Sequence, residues 1–375
     1  MMQNKLRCYA ACSFGLEAVV ARELEALGIG GIESRDARVY FEADARQLAA
    51  ANLWLSAADR VYIVVGEFPA ATFDELFEGV RAIPWEQYLP RDAAFPVTGD
   101  AVRAELMSVS DIQSVAKKAI VERLKVAYGL SFFRESGWTY SIYLNNLANR
   151  VTVSLNASGV GLNRRGYRTR NAKAPIRETL AAGLIRLSRW YDRPFYDILC
   201  GSGTIAIEAA LQAQKRAPGL YRSFAAEKWS DAMRDGFAAE RERARDLFVK
   251  HPDIQIFASD IDPQMLELTE FHAKKAGVED IVHISRQDAT KFVPATASGT
   301  LISNPPYAMR LGEKKEVDAL YRGLGKALLG LEDFRLYFIC ADEDFAKTFG
   351  RKEDKRRKLY NGNIRCYFYQ YFRKR

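Results

Sequence analysis

The sequence is poor in the residues that most often carry metal or covalent chemistry. Its 375 residues include three histidines, His251, His272 and His283. They form no ligand constellation and no nucleophile–base pair, and each reads as a surface or packing residue. Five cysteines, an odd number, stand at 8, 12, 200, 340 and 366, none in a Cys-x-x-Cys pair. That gives no zinc motif and no disulfide framework, so reduced thiols and no metal are expected. No apolar run approaches the roughly 20 residues of a membrane-spanning helix. The opening residues, 1–8, lack a signal-peptide core, so a cytoplasmic location without a membrane partner is expected. Internal repeats and low-complexity tracts are not visible.

What is present is a globular chain with concentrated charge. A hydrophobic content of 48% suits real cores, and the length implies two or three domains. The formal net charge is +8. Residues 351–375 hold ten basic and two acidic residues. Arg164, Arg165, Arg168, Arg170, Lys173 and Arg177 follow one another with no acid between them. The rest of the chain is net acidic. Two basic zones on an acidic body suggest a track for a polyanion. A solvated loop is the ordinary alternative for 351–358. Interleaved Tyr167, Tyr360, Tyr367 and Tyr369 favour nucleic acid, although 366–372 reads primarily as a core strand.

The chemistry concentrates in Leu301-Ile302-Ser303-Asn304-Pro305-Pro306-Tyr307. Leu301 and Ile302 look like the end of a buried strand. Two consecutive prolines cannot donate ladder hydrogen bonds, so the sheet stops there. The rigid turn that remains presents an amide, carbonyls and a ring. The Asn304 side-chain oxygen and the Pro305 carbonyl can each accept one N–H of a planar amino group. Tyr307 can stack on the attached base. Asn-Pro is also a common turn signal, so the tetrapeptide alone leaves both readings open.

A second motif lies upstream. Residues 195–204 read Phe-Tyr-Asp-Ile-Leu-Cys-Gly-Ser-Gly-Thr, a short strand entering a glycine turn, and 205–211 continue as a helix. Gly201 and Gly203 permit a tight turn and close approach to a ligand. With Ala206 they also fit a loose dinucleotide pattern, so NAD is a fair first guess. Two details oppose it. Asp197 precedes the turn within the strand, where it can face an ammonium group. The acid expected roughly 20 residues on, at the end of the next strand, is displaced. Here the next strand ends at Asp260, 57 positions after Gly203, so an insertion enlarges the first crossover. Asp260 is either a ribose ligand or a helix cap beside Pro263, a task Asp262 can equally perform. A third strand-end acid is Asp288. Ligands of open α/β sheets bind at such carboxyl ends.

The glycine turn, Asp260, Asp288 and Asn304–Tyr307, in that order, resemble class I S-adenosylmethionine-dependent methyltransferases that modify exocyclic amino groups. Residues 164–184, 304–325 and 358–362 extend the likeness. They look like the bacterial THUMP-domain 23S ribosomal RNA guanine-N2 methyltransferases, often labelled N6-adenine-specific DNA methylases. The similarity spans nearly the whole chain, including Ala217-Pro218-Gly219. It implies S-adenosyl-L-methionine as cofactor. Asp197, Cys200, Gly201, Ser202, Gly203 and Thr204 would surround its methionine part. Asp260 would hold the ribose and Asp288 the adenine, and Ile261 and Asn304 would also contact the cofactor. Glu178 and Thr179 would line the same pocket, or serve only as the start of a helix after Pro175. Asn304, Pro305, Pro306 and Tyr307 would hold the target amine. The partner would be large-subunit ribosomal RNA or an assembling ribosomal particle, with no obligate protein partner. RNA contacts would fall on Lys117, Lys118, Arg164, Arg165, Arg168, Arg356, Arg357 and Lys358. For Lys117 and Lys118 a solvated helix face is an equal alternative.

The expected fold class is α/β, a class I, Rossmann-like methyltransferase domain preceded by an α+β ferredoxin-like plus THUMP region. The expected domains are 1–66, ferredoxin-like, 67–163, THUMP, and 164–375, methyltransferase. Strands are expected at 6–10, 38–41, 61–65, 139–144 and 150–156. Helices are expected at 16–27, 45–55, 73–83 and 110–128, with a break at 68–71. Three rivals remain. One is an adenine-N6 methyltransferase on DNA or RNA, and one a protein glutamine methyltransferase. The third is a non-catalytic RNA-binding assembly factor.

Overall fold

A computed structural model describes residues 5–170, 176–307 and 314–372. Lys173, Pro175 and the 310–313 part of the resemblance lie outside them. The first sheet is built from β1 (Leu6–Cys12), β2 (Glu33–Arg35), β3 (Arg38–Ala43), β4 (Ala58–Pro69), β5 (Val97–Val102), β6 (Ile142–Leu147) and β7 (Arg150–Asn156). Its order is β2-β3-β1-β4-β7-β6-β5. Helices α1 (Glu17–Ala26), α2 (Ala45–Trp54), α3 (Phe73–Ala82) and α4 (Val109–Tyr128) connect these strands. Local chemistry sets their starts. Asp44 with Gln47 and Thr72 with Glu75 form capping boxes that satisfy the first amides of α2 and α3.

Strand β4 runs twelve residues, through the 66/67 boundary and into the expected break at 68–71. It pairs with β1 along one stretch and with β7 along another, so the two N-terminal parts expected from sequence share one sheet. The expected strand at 139–144 begins later, at Ile142, and ends at Leu147. Strand β2 has three exposed residues, Glu-Ser-Arg, and offers no apolar alternation to read.

The second sheet follows α5 (Glu178–Ser188). Its strands are β8 (Phe195–Asp197), β9 (Ile256–Asp260), β10 (Val282–Arg286), β11 (Gly299–Ser303), β12 (Phe334–Cys340), β13 (Lys355–Asn361) and β14 (Ile364–Tyr371). The order is β10-β9-β8-β11-β12-β14-β13. Strands β8 to β12 pair in parallel, and β14 runs antiparallel to both its neighbours. Helices α6 (Thr204–Ala213), α7 (Asp231–Asp246), α8 (Pro263–Ala276), α9 (Lys314–Leu328) and α10 (Phe345–Phe349) complete it. Residues 355–361 are a strand and not a solvated loop, because buried Leu359 anchors them in the hairpin with β14.

The insertion between α6 and β9 joins the two bodies. Helix α7 lies on α2 so closely that a Cβ on Gly236 would stand 3.0 Å from the Ala45 carbonyl oxygen. Arg46 reaches across to the buried Glu240 carboxylate at 2.9 Å. The Gly219 amide donates to the Leu53 carbonyl at 2.9 Å. The basic stretch after Gly161 closes the seam from the other side. Arg165, with a side chain only 3% exposed, lies 3.5 Å from Glu208 on α6. Its guanidinium also donates to the carbonyls of Leu162 and Ser56, each at 2.5 Å. Tyr167 donates to Glu208 at 3.0 Å.

Removing one partner of a buried ion pair strands the other. Arg165→Ala is therefore expected to cost about 3–5 kcal/mol. Arg164→Ala, at an exposed position, should stay within about 0.5 kcal/mol. Urea unfolding of the two variants beside wild type checks the contrast.

Candidate active site

Strand β8 is the point where the second sheet changes direction, with β9 on one side and β11 on the other. The carboxyl ends of such strands leave a crevice that no crossover covers. A cleft of about 470 Å³ opens there. It is lined by Gly201, Asp260, Ile261, Asp288, Asn304, Pro305, Pro306 and Tyr307, all anticipated from sequence. Leu199, Ala289 and Leu320 also line it, and no sequence signal marked these three.

The glycine turn is shaped by its neighbours. Gly201 has φ +52°, and a Cβ there would meet nothing within 4 Å, so the turn leaves open space on the cleft side. Gly203 has φ +80°, and a Cβ would stand 2.6 Å from the Thr269 methyl, so only glycine fits against α8. Thr269 donates to the Gly201 carbonyl at 2.7 Å. The buried His272 Nδ1 lies 3.0 Å from the Ser202 carbonyl. Gly201 alone of the expected turn residues lines the cleft. Cys200, Ser202 and Thr204 are buried behind it, and burial pushes the Cys200 thiol up, keeping it neutral. Asp260 accepts the Gly201 amide at 2.9 Å and the Asp262 amide at 3.1 Å. The cap of α8 is Asp262, which accepts from Gln264, so Asp260 is released from that task.

Asp197 ends β8 fully buried. Its Oδ1 accepts from the Ser303 hydroxyl at 2.8 Å, and the Ser303 oxygen accepts the Ile198 amide at 2.9 Å. Its Oδ2 is buried without a hydrogen-bond partner among the described residues. Burial raises its pKa to about 7, opposed by the Ser303 hydroxyl.

On the far wall, Asp288 caps a 3₁₀ turn by accepting the Thr290 hydroxyl at 2.7 Å and the Thr290 amide at 2.9 Å. These bonds hold its carboxyl below the usual range. The turn after β11 is fixed from behind, where Tyr321 donates to the Pro306 carbonyl at 2.8 Å. Tyr307 is half-buried, and burial pushes its phenol up against a hydrogen bond with the Asn361 side chain.

Other expected site residues have different employment. Glu178 and Thr179 do not line this cleft. Thr179 donates to Asp59 at 2.6 Å, and Glu178 lies 3.6 Å from Arg168. Both point into the seam between the bodies because α5 begins there, and burial pushes the Glu178 carboxyl up. Among the expected RNA contacts, Arg165 is buried in the same seam. Arg168 donates to the Ile176 carbonyl at 2.8 Å. Lys117 is held by Glu135 at 2.6 Å and the Phe95 carbonyl at 2.9 Å. Arg357 donates to the Gly15 carbonyl at 3.1 Å, and Arg356 lies 3.4 Å from Glu353. These five have partners within the fold, which sequence could not reveal because each partner is distant in the chain or in a loop. Lys118, Arg164 and Lys358 are exposed, with Lys118 4.0 Å from Glu122.

Comparison with known proteins adds three family matches. The RMKL-like methyltransferase domain matches residues 165–370. The RlmL ferredoxin-like domain matches 7–62 and the THUMP domain 70–156. A Bacillus subtilis (strain 168) protein named "Putative RNA methyltransferase YpsC" is 41% identical over 99% of this chain and 97% of its own length. The "Ribosomal RNA large subunit methyltransferase K/L" of Shewanella baltica (strain OS155) is 30% identical over 97% of this chain. The chain spans about half of that relative's length, 52%. The crystal structure of SMU.472, "a putative methyltransferase complexed with SAH", superposes with a TM-score of 0.94 at 39% identity, covering 100% of both chains.

The Asp197 shift carries a sign. Below pH about 4 the carboxyl is neutral folded or unfolded, so burial costs nothing extra. Between that value and about 7 the unfolded chain releases the proton while the folded chain keeps it. Asp197 thus removes stability as pH rises through the window, and the loss is constant above it. Asp197→Asn should abolish this contribution. Chemical unfolding of both proteins from pH 4 to pH 8 is expected to give a stability difference that moves in the variant's favour as pH rises.

Proposed function

The chain belongs to the RMKL-like methyltransferase family and is an S-adenosylmethionine-dependent methyltransferase, and from that premise we propose that it methylates the exocyclic N2 amine of a guanosine in large-subunit ribosomal RNA. The observation that carries the reading is a single cleft walled by the glycine turn on one side and Asn304-Pro305-Pro306-Tyr307 on the other. Support for RNA comes from the THUMP match and from relatives named for RNA and for the large ribosomal subunit.

The residues present fit the cofactor. The buried, unpartnered Asp197 Oδ2 suits an ammonium group, although Asp197 does not itself line the cleft, and the missing side chain of Gly201 leaves open space in the cleft. Each Asp260 oxygen holds one amide, and a carboxylate oxygen can accept a second donor, here a ribose hydroxyl. Ile261, apolar yet 56% exposed at the cleft, offers a face to adenine. Asp288 would accept the adenine amino group. Cys200, Ser202, Gly203 and Thr204 hold the turn in shape. Bound S-adenosylmethionine supplies an electrophilic methyl group on sulfur.

The chain's own task is positioning. A base inside a helix cannot enter the cleft, so the target nucleotide leaves its stack. Tyr307 stacks on it, and the Asn304 side-chain oxygen and Pro305 carbonyl accept the two N–H groups of its amine. That grip directs the nitrogen lone pair across the cleft. The amine loses proton affinity as it is methylated, and its proton leaves to water without a strong general base. Orientation and exclusion of competing geometries supply the rate. Lys118, Arg164 and Lys358 would meet RNA phosphates.

Asn304→Ala is expected to lower the single-turnover rate at least about 100-fold while S-adenosylhomocysteine affinity stays within about threefold. The substrate is ribosomal RNA from cells lacking this protein, read by nucleoside mass spectrometry. N2-methylguanosine is the expected product. N6-methyladenosine in its place would overturn the guanine assignment, and an unchanged rate would overturn the role of Asn304.

A further inference from the structure

A second groove lies beyond the β13–β14 turn and encloses about 740 Å³. Both bodies build it. The turn after β1 contributes Phe14, and the hairpin contributes Lys358 and Tyr360. Phe14 is 55% exposed, and its ring meets that of Tyr360 edge-on at 6.1 Å between centroids. Lys358 Nζ stands 5.6 Å from the Tyr360 ring and has no carboxylate within 4 Å among the described residues. Arg177 also lines the groove, but Asp59 at 3.7 Å offsets its charge. Lys358 is therefore the cation with charge to spare.

The groove is rigidly mounted. Gly15, at φ +91°, presses so close to β13 that a Cβ would stand 2.7 Å from the Lys358 carbonyl oxygen. Arg357 donates to the Gly15 carbonyl and fixes the same turn. Phe14 is held beside Tyr360 by this seam. The groove also adjoins the catalytic cleft. Asn361, which follows Tyr360, stands near enough to Tyr307 in the cleft to oppose the rise of its phenol. One residue, Asn361, thus links the ring that would stack on the target base to Tyr360 in the groove.

We propose that this groove binds the unpaired nucleotide neighbouring the target, its base stacked on Phe14 and Tyr360 and its phosphate on Lys358. The proposal rests on the RNA reading of the catalytic cleft. Extruding a base exposes its neighbour's faces, and aromatic rings beside a cation accept any base. The N-terminal body thereby contributes directly to substrate binding at the catalytic end of the molecule.

The test compares Phe14→Ala and Tyr360→Ala with the ring-keeping Phe14→Trp and Tyr360→Phe. The probe is deproteinised ribosomal RNA from cells lacking this protein, titrated in single-turnover methyl transfer. Each alanine variant should raise the half-saturating RNA concentration about tenfold. The ring-keeping variants should stay within about twofold of wild type, and S-adenosylhomocysteine affinity and melting temperature should not move. Alanine variants with wild-type RNA dependence, beside a wild type that methylates RNA, overturn the groove and spare the substrate reading. A wild type that transfers no methyl group to RNA overturns the substrate reading and the groove's occupant with it.

Discussion

One buried hydroxyl holds the catalytic cleft together. Ser303 closes β11, accepts the Ile198 amide from β8 and donates to Asp197. It is fully buried, so no water can take its place in either bond. Through it, the strand that enters the glycine turn is tied to the strand that enters Asn304-Pro305-Pro306-Tyr307. The two halves of the proposed reaction sit on those two turns. Their separation is thus set by neighbouring strands in one sheet, and each turn has its own brace. Thr269 and His272 support the first, and Tyr321 supports the second.

The same logic extends outward to the N-terminal body. Asp59 on β4 accepts from Thr179 at the start of α5, and α7 packs on α2. The first sheet runs unbroken through β4, so its ferredoxin-like and THUMP parts are joined through a shared strand. An RNA held by that sheet would meet the cleft in a defined frame. The insertion that displaced Asp260 from its expected spacing turns out to be the bracket that maintains this frame.

Sequence was most legible where local chemistry is self-contained. The two prolines ended β11 where expected, and the glycine turn entered α6 as the periodicity implied. The acids at 260 and 288 reached the cleft because strand ends can be read from apolar runs. The doubt between Asp260 and Asp262 needed coordinates, since either can cap α8 by spacing alone. Charge was the least legible property. Arg165 and Lys358 look alike in a basic stretch, yet one is buried against Glu208 and the other is exposed. Lys117 has its partners in the loop around Glu135 and at Phe95, and Thr179 has its partner at Asp59, 120 positions away. Long-range pairing of this kind leaves no local pattern. Strand β4 outran its expected end because Pro69 stands at its terminus, where a missing amide is tolerated.

The most direct test of the cleft is a crystal structure of this protein with S-adenosylhomocysteine bound. Its ammonium is expected within about 3 Å of Asp197 Oδ2, with its sulfur facing the Asn304 turn across the cleft. An amino-acid moiety seated instead on Glu178 and Thr179, or a sulfur turned away from Asn304, would contradict it.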